Sequence, residues 1–145
     1  MDEYRKTERI RTAAILTNLY VTTGDIYCLP YDNFTLLLEY GRGAVDGAVS
    51  FYPEFSLTGG VSDWWRMGAL EQDDITVNTN ADVAIQRAIY EYGGTANTYE
   101  RVVFGPYPLN QFAKYIRFAF TETGNVGSPG TCGAFLVLTR NKQKM

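Results

Sequence analysis

Between Lys114 and Thr121 apolar and mixed positions alternate. Ile116, Phe118 and Phe120 recur every second residue, with Tyr115, Arg117, Ala119 and Thr121 between them. That period belongs to a strand with one face in a core. Residues 122–130 break it with three glycines and a proline. An extended, β-rich run resumes from Cys132 to Thr139. Two such runs around a Gly-rich loop predict a hairpin. The returning strand is apolar on both faces, with Ala134, Leu136 and Leu138 on one and Phe135 and Val137 on the other. Such a strand is expected to be covered on both sides, and another subunit is one source of the second cover.

Earlier in the chain, Ala13–Thr22 and Ile26–Leu29 read as strands around a Thr23-Gly24-Asp25 turn. Phe34, Leu36, Leu38 and Tyr40 alternate with Thr35, Leu37 and Glu39. Val49, Phe51 and Phe55 mark the next strand. Pro53 inside it lacks a ladder donor, which predicts an edge position or a bulge. Residues 74–79 and 99–104 are further strands, the second ended by Gly105-Pro-Tyr-Pro108. Residues 81–90 fit a strand by alternation or a helix by an Ala81, Ala84, Ile85, Ala88 stripe. The following Tyr-Glu-Tyr and Gly93-Gly94 favour the strand.

About eight to ten short runs between Gly, Pro, Asn and Asp turns predict an all-β fold, an antiparallel β-sandwich that includes the jelly-roll arrangement. The expected organisation is a charged N-terminal arm over 1–12, a single sandwich domain over 13–140 and a C-terminal tail over 141–145. The expected core includes Leu36, Leu38, Phe51, Phe55, Ile116, Phe118, Leu136 and Leu138.

Composition narrows the function. The chain has 145 residues, enough for one domain with a real core. A net charge of −3 argues against a general nucleic-acid binder. The absence of histidine removes the commonest neutral-pH acid/base group and metal ligand. No cofactor is expected, and no nucleophilic triad can be assembled. Cys28 and Cys132 lack C-x-x-C spacing and read as reduced, buried side chains, with a disulfide between them as the alternative. Met1 to Arg9 is charged throughout and no run reaches the length of a membrane span, so assembly in a cytoplasm and no membrane partner are expected.

Three local features bear on chemistry. Asp73, Asp74, Asn78, Asn80 and Asp82 offer oxygen ligands but do not fit a D-x-[DN]-x-[DN]-G calcium loop, and they read as a solvated polar loop. Gly41-Arg-Gly and Gly59-Gly60 are not followed by the helix start a phosphate loop needs. Asp63-Trp64-Trp65-Arg66 is the most pointed. Adjacent tryptophans on a strand face opposite ways, so one enters the core while the other meets solvent, a partner or a sugar ring.

Phe34-Thr-Leu-Leu-Leu-Glu-Tyr-Gly, Val49-Ser-Phe-Tyr-Pro-Glu-Phe-Ser, Gly59-Gly60 to Trp64-Trp65, Ala113-Lys-Tyr-Ile-Arg-Phe and the closing Thr-Gly to Pro-Gly-Thr run together resemble small β-sandwich virion proteins of tailed bacteriophages. The resemblance covers roughly residues 33–66 and 111–140. It is one of strand texture, not of a catalytic signature, and residues 71–100 carry none of it. It implies a non-enzymatic capsid-decoration, neck (head–tail assembly) or tail component in the virion, multimeric and in contact with other virion proteins and with itself. A glycan-binding sandwich module is the alternative, with Trp64 and Trp65 as stacking faces. The candidate interface residues are Tyr115, Phe135, Val137, Trp64 and Trp65. Phe135 and Val137 are expected to form an apolar patch beside Tyr115 and Ala119, extended by the N-terminal arm.

Overall fold

The computed structural model describes residues 4–43, 46–66, 68–70, 85–87, 89–109, 112–124 and 127–141. Their regular structure is all β: β1 (Arg5–Ile15), β2 (Val21–Thr22), β3 (Ile26–Tyr27), β4 (Asn33–Gly41), β5 (Ala48–Ser56), β6 (Trp65–Arg66), β7 (Gly68–Leu70), β8 (Ile85–Arg87), β9 (Tyr90–Tyr92), β10 (Tyr99–Pro108), β11 (Tyr115–Thr123) and β12 (Thr131–Thr139). Sheet A has the order β1-β12-β4-β10. Sheet B centres on β11 and β5. β2 and β3 share the outer edge of β11, and β6 and β9 share that of β5. β7 and β8 pair with each other.

The topology is a jelly roll. The first half of the chain runs antiparallel beside the second: β1 with β12, β2 and β3 with β11, β4 with β10, and β5 with β9, while β6 pairs back on β5. This long double strand is wrapped so that β4 also meets β12 and β5 meets β11. The faces turned inward fill the space between the sheets. All eight expected core residues are buried, joined by Leu16, Phe34, Tyr40, Val49, Phe120 and Ala134. Phe34 of sheet A meets Phe55 and Phe118 of sheet B edge-on, at centroid distances of 6.5 and 5.8 Å.

Four expectations are corrected. First, β11 and β12 are not a hairpin: they lie in different sheets. Period-two alternation fixes which face of a strand is buried, not which strand lies beside it. Second, residues 5–12 are not an arm apart from the sandwich. They are most of β1, the edge strand that closes the free side of β12, from Arg5 opposite Thr139 to Ile15 opposite Thr131. Its charges suit an edge, where long polar side chains discourage further pairing. The strand read over Ala13–Thr22 is correspondingly split between the end of β1 and β2. Third, Pro53 lies in a central strand. It sits opposite Phe118, whose N–H and C=O both bond Thr23 on the side away from β5. The missing proline donor therefore faces the other edge, at the gap between β6 and β9. Fourth, Gly105-Pro106 does not end β10. The strand continues to Pro108 through a register shift between Phe104 and Tyr107. Gly105 has φ of 116°, and a Cβ there would stand 2.9 Å from the Phe34 carbonyl oxygen.

Cys28 and Cys132 are both free and buried. Burial pushes their thiols up to about 11 and about 12. Glu122 is buried at one end of the core. Its Oε1 accepts from the Gly130 N–H (2.7 Å) and the Tyr40 hydroxyl (3.3 Å), and its Oε2 from the Ala48 N–H (2.8 Å). This carboxylate pins two crossing loops to the sandwich. The strand expected over 74–79, the Asp73–Asp82 polar cluster and residues 81–84 and 88 lie outside the described residues. Of the stretch read over 81–90, residues 85–87 are a strand and Tyr90 opens β9.

Candidate interface surfaces

The five sequence-predicted interface residues fall on three surfaces. Phe135 and Val137 point outward from sheet A, Tyr115 and Trp64 lie on the outer side of sheet B, and Trp65 sits at the β6 edge. Tyr115 and Ala119 therefore do not flank Phe135. Tyr115 packs edge-on against Tyr27, with ring centroids 5.7 Å apart, and Ala119 is buried.

On sheet A one cross-strand row runs Arg9, Phe135, Leu37, Val103. The Arg9 guanidinium lies over the Phe135 ring, 3.9 Å from its centroid. Val103, at the outer edge, is 63% exposed. The next row is Gly133, Glu39, Arg101. Arg9 Nη1 donates to Glu39 Oε1 at 3.0 Å, and Arg101 Nε donates to Oε2 at 3.4 Å. Gly133 makes this possible, because a Cβ there would stand 2.8 Å from Glu39 Oε1 and 3.1 Å from Arg9 Nη1. The Arg9 hydrogen bond, more than any other contact, holds the Glu39 carboxyl below the usual glutamate range, against the opposing effect of its burial. Between β4, β10 and Phe135 lies an apolar groove of about 230 Å³, lined by Leu37, Val103 and Phe135 with Glu39 and Arg101 at its rim.

The outer face of sheet B is largely covered by the chain itself. Ala119 and Thr121 are buried under the segment leading into β2. The Thr121 hydroxyl and the Glu122 N–H both donate to the Thr17 carbonyl at 2.8 Å. Tyr20 packs edge-on against Tyr52 at 4.8 Å. Burial, helped by Tyr52, pushes the Tyr20 phenol up. Arg66 lies 3.6 Å from the centroid of the other side of this pair, Tyr52. Arg117 ion-pairs with Glu54 at 2.9 Å and lies 4.0 Å from the centroid of Trp64. One ring face of Trp64 is therefore taken.

Trp65 differs. It is 58% exposed, yet its indole N–H donates to Asp63 Oδ1 at 3.0 Å. Asp63 Oδ2 accepts from the Thr58 N–H and hydroxyl, both at 2.8 Å, and from the Ser56 hydroxyl at 3.2 Å. These donors, Trp65 first, hold the Asp63 carboxyl below the usual aspartate range. The ring is exposed but fixed. Asp63 and the Trp pair stand out in the sequence, and Ser56 and Thr58 beside Gly59-Gly60 are the small polar residues such a turn uses. Arg9, Glu39, Arg101 and Val103 were missed, because only the strand pairing brings them together. Among the described residues no group of three or more Cys, Asp or Glu side chains could hold a metal ion.

No family model matches the chain, and no curated protein matches it. Among solved structures, a chain from the crystal structure of the T13 IBDV viral particle aligns over 95% of this chain with a TM-score of 0.52 and 11% sequence identity. The present chain spans 32% of that one, about a third of its length. The likeness is one of fold. The tobacco streak virus coat protein, in a C2 crystal form and as a dimer, aligns over 100% of this chain and 91% of its own at 12% identity. Those TM-scores, 0.38 and 0.39, are too low to bear on the comparison.

Proposed function

We propose that this chain is a non-enzymatic structural subunit of a virus particle, acting through protein–protein contacts. The observation that carries the reading is the jelly-roll wrap, which aligns over 95% of the chain with part of a viral particle protein. Jelly rolls also serve in lectins and cupins, so the fold alone does not assign the role. The surface adds support: Phe135, Leu37 and Val103 form an apolar run on the outer side of sheet A, which ends on the exposed Val103 and its groove. The finer assignment, to a tailed-bacteriophage virion as a capsid-decoration or head–tail assembly protein, rests on the strand texture of residues 33–66 and 111–140. Mass spectrometry of purified particles with copy-number estimation tests it. The protein is expected at a fixed stoichiometry set by particle symmetry, and its absence from particles refutes the reading.

One observation favours a second reading, a glycan-binding module. Trp65 offers an exposed, oriented ring beside a carboxylate, the furniture of a sugar-stacking site. A monomeric chain whose Trp fluorescence responds to defined sugars, and responds no longer after Trp65→Ala, would establish it.

A further inference from the structure

Two exposed features on different parts of the surface fit one another. The first is Trp65, held in one orientation by Asp63, which Thr58 and Ser56 in turn grip. Fixing the ring before contact lowers the ordering cost of burying it, and rigid tryptophans are favoured interface anchors. Its flank carries the Asp63 carboxylate. The second is the sheet A groove of about 230 Å³ beside Leu37, Val103 and Phe135. A cavity of about 150 Å³ accepts a benzene ring, so the groove has room for an indole. A larger hollow of about 410 Å³ is lined by Asp32, Asn33 and Asn141 among others. An indole there would strip water from those polar groups without replacing it.

We propose that Trp65 of one copy seats in the Leu37–Val103–Phe135 groove of a second copy, with Asp63 facing the Arg101 rim. The proposal rests on the structural-subunit reading and commits to a second copy of this chain as the occupant. Charge supports that choice. The groove rim holds Glu39 and Arg101. Glu39 is already ion-paired with Arg9, so the positive charge of Arg101, whose side chain is 78% exposed, is in excess there. The knob brings the balancing carboxylate, and the exposed guanidinium of Arg101, which bonds Glu39 only through Nε at 3.4 Å, can stack on the indole. Knob and groove occupy different surfaces, so the contact is head-to-tail. A chain of copies keeps one free knob at one end and one free groove at the other until a ring closes. A lone anchor buries far less than the ~800 Å² per partner of a standard interface. Association of the isolated chain is therefore weak, concentration-dependent and reduced by salt.

Sedimentation equilibrium of the purified chain, up to millimolar concentration, tests the contact. The wild-type average mass is expected to rise past that of a dimer. Trp65→Ala and Val103→Asp, each with an unchanged far-UV circular dichroism spectrum, are expected to stay monomeric. Their equimolar mixture is expected to form a heterodimer and nothing larger, because one variant keeps a groove and the other a knob. Arg101→Glu, at a solvent-facing side chain, provides a second groove variant should Val103→Asp misfold. Trp65→Lys does the same for the knob. The contact is overturned by a wild-type chain that stays monomeric throughout, by unchanged association in a folded knob or groove variant, or by a mixture with no heterodimer. It is also overturned by a monomer that responds to sugars through Trp65. Particle incorporation separates the two levels. If folded Trp65→Ala enters particles and self-associates like wild type, this contact fails while the subunit reading stands. If wild-type chain is absent from particles, the subunit reading itself fails.

Discussion

On the outer face of sheet B, Arg117 and Arg66 lie on Trp64 and Tyr52, Glu54 neutralises Arg117, and the Thr17–Tyr20 segment covers Ala119 and Thr121. On the outer face of sheet A, Arg9 lies on Phe135 and Glu39 bridges two arginines, but Val103 and its groove are left open. Both faces combine arginine, carboxylate and aromatic side chains. The difference is an added layer of chain, which only sheet B has among the described residues. Apolar content on the outside of a sheet is thus a poor guide to what is available for contact. What matters is whether the chain returns over it.

The comparison presumes a common core, and breaking that core should have the largest effect. Phe118→Ala removes a fully buried ring between the sheets and should cost about 3–5 kcal/mol in urea unfolding. A loss under 1 kcal/mol would mean that the sheets do not close on each other as described. Arg117→Ala on sheet B should come next. It uncovers Trp64 and strands Glu54, whose side chain is only 13% exposed, at about 1–3 kcal/mol. The sharpest contrast is with Arg101→Ala on sheet A. There the side chain is exposed and the cost should stay within about 0.5 kcal/mol. Equal losses for the two arginines would erase the distinction between the faces.

Acid titration probes the one tight spot on sheet A. The folded-state pKa of Glu39 lies below its unfolded value, so its contribution is complete above the ordinary glutamate range, around pH 4.5. It is lost as pH falls through the depressed folded value. Glu39→Gln should therefore flatten the stability–pH curve below about pH 4.5 and leave its neutral-pH slope unchanged. A curve that keeps its acid slope in the variant assigns that slope to other carboxylates. The smallest effect is expected for Val103→Ser. Stability should move by no more than about 0.5 kcal/mol at this exposed position, as followed by thermal melting.

The sandwich class and its buried faces were legible because β4, β5, β11 and β12 alternate cleanly, and alternation records burial residue by residue. Partnership was not legible. Phe118 opposite Pro53 and Arg9 beside Phe135 join residues 65 and more than a hundred positions apart in the chain, and no local period encodes such pairs. β1 escaped because an edge strand facing solvent carries Arg5, Lys6, Glu8, Arg9 and Arg11, the composition of a tail. Pro53 misled because a central strand normally needs every donor, and here the neighbouring edge is split where the donor is missing. Of the candidate contact residues, Trp65 announced itself by its neighbours. Val103 looked like any β-branched core residue, and only the register of β10 on β4 turns it outward.

The placement of β12 between β1 and β4 has a consequence for how the protein is made. A ribosome finishes β4 at Gly41 but does not begin β12 until Thr131, some ninety residues later. At ~5–20 residues per second, that leaves the inner edge of β4, and the whole of β1, waiting roughly 5–20 s for the strand that joins them. During that interval Leu36 and Leu38 have no sheet neighbour on that side. Until β12 emerges, β1 and β4 share no sheet, because β12 lies between them. Closure of sheet A is therefore tied to the emergence of β12.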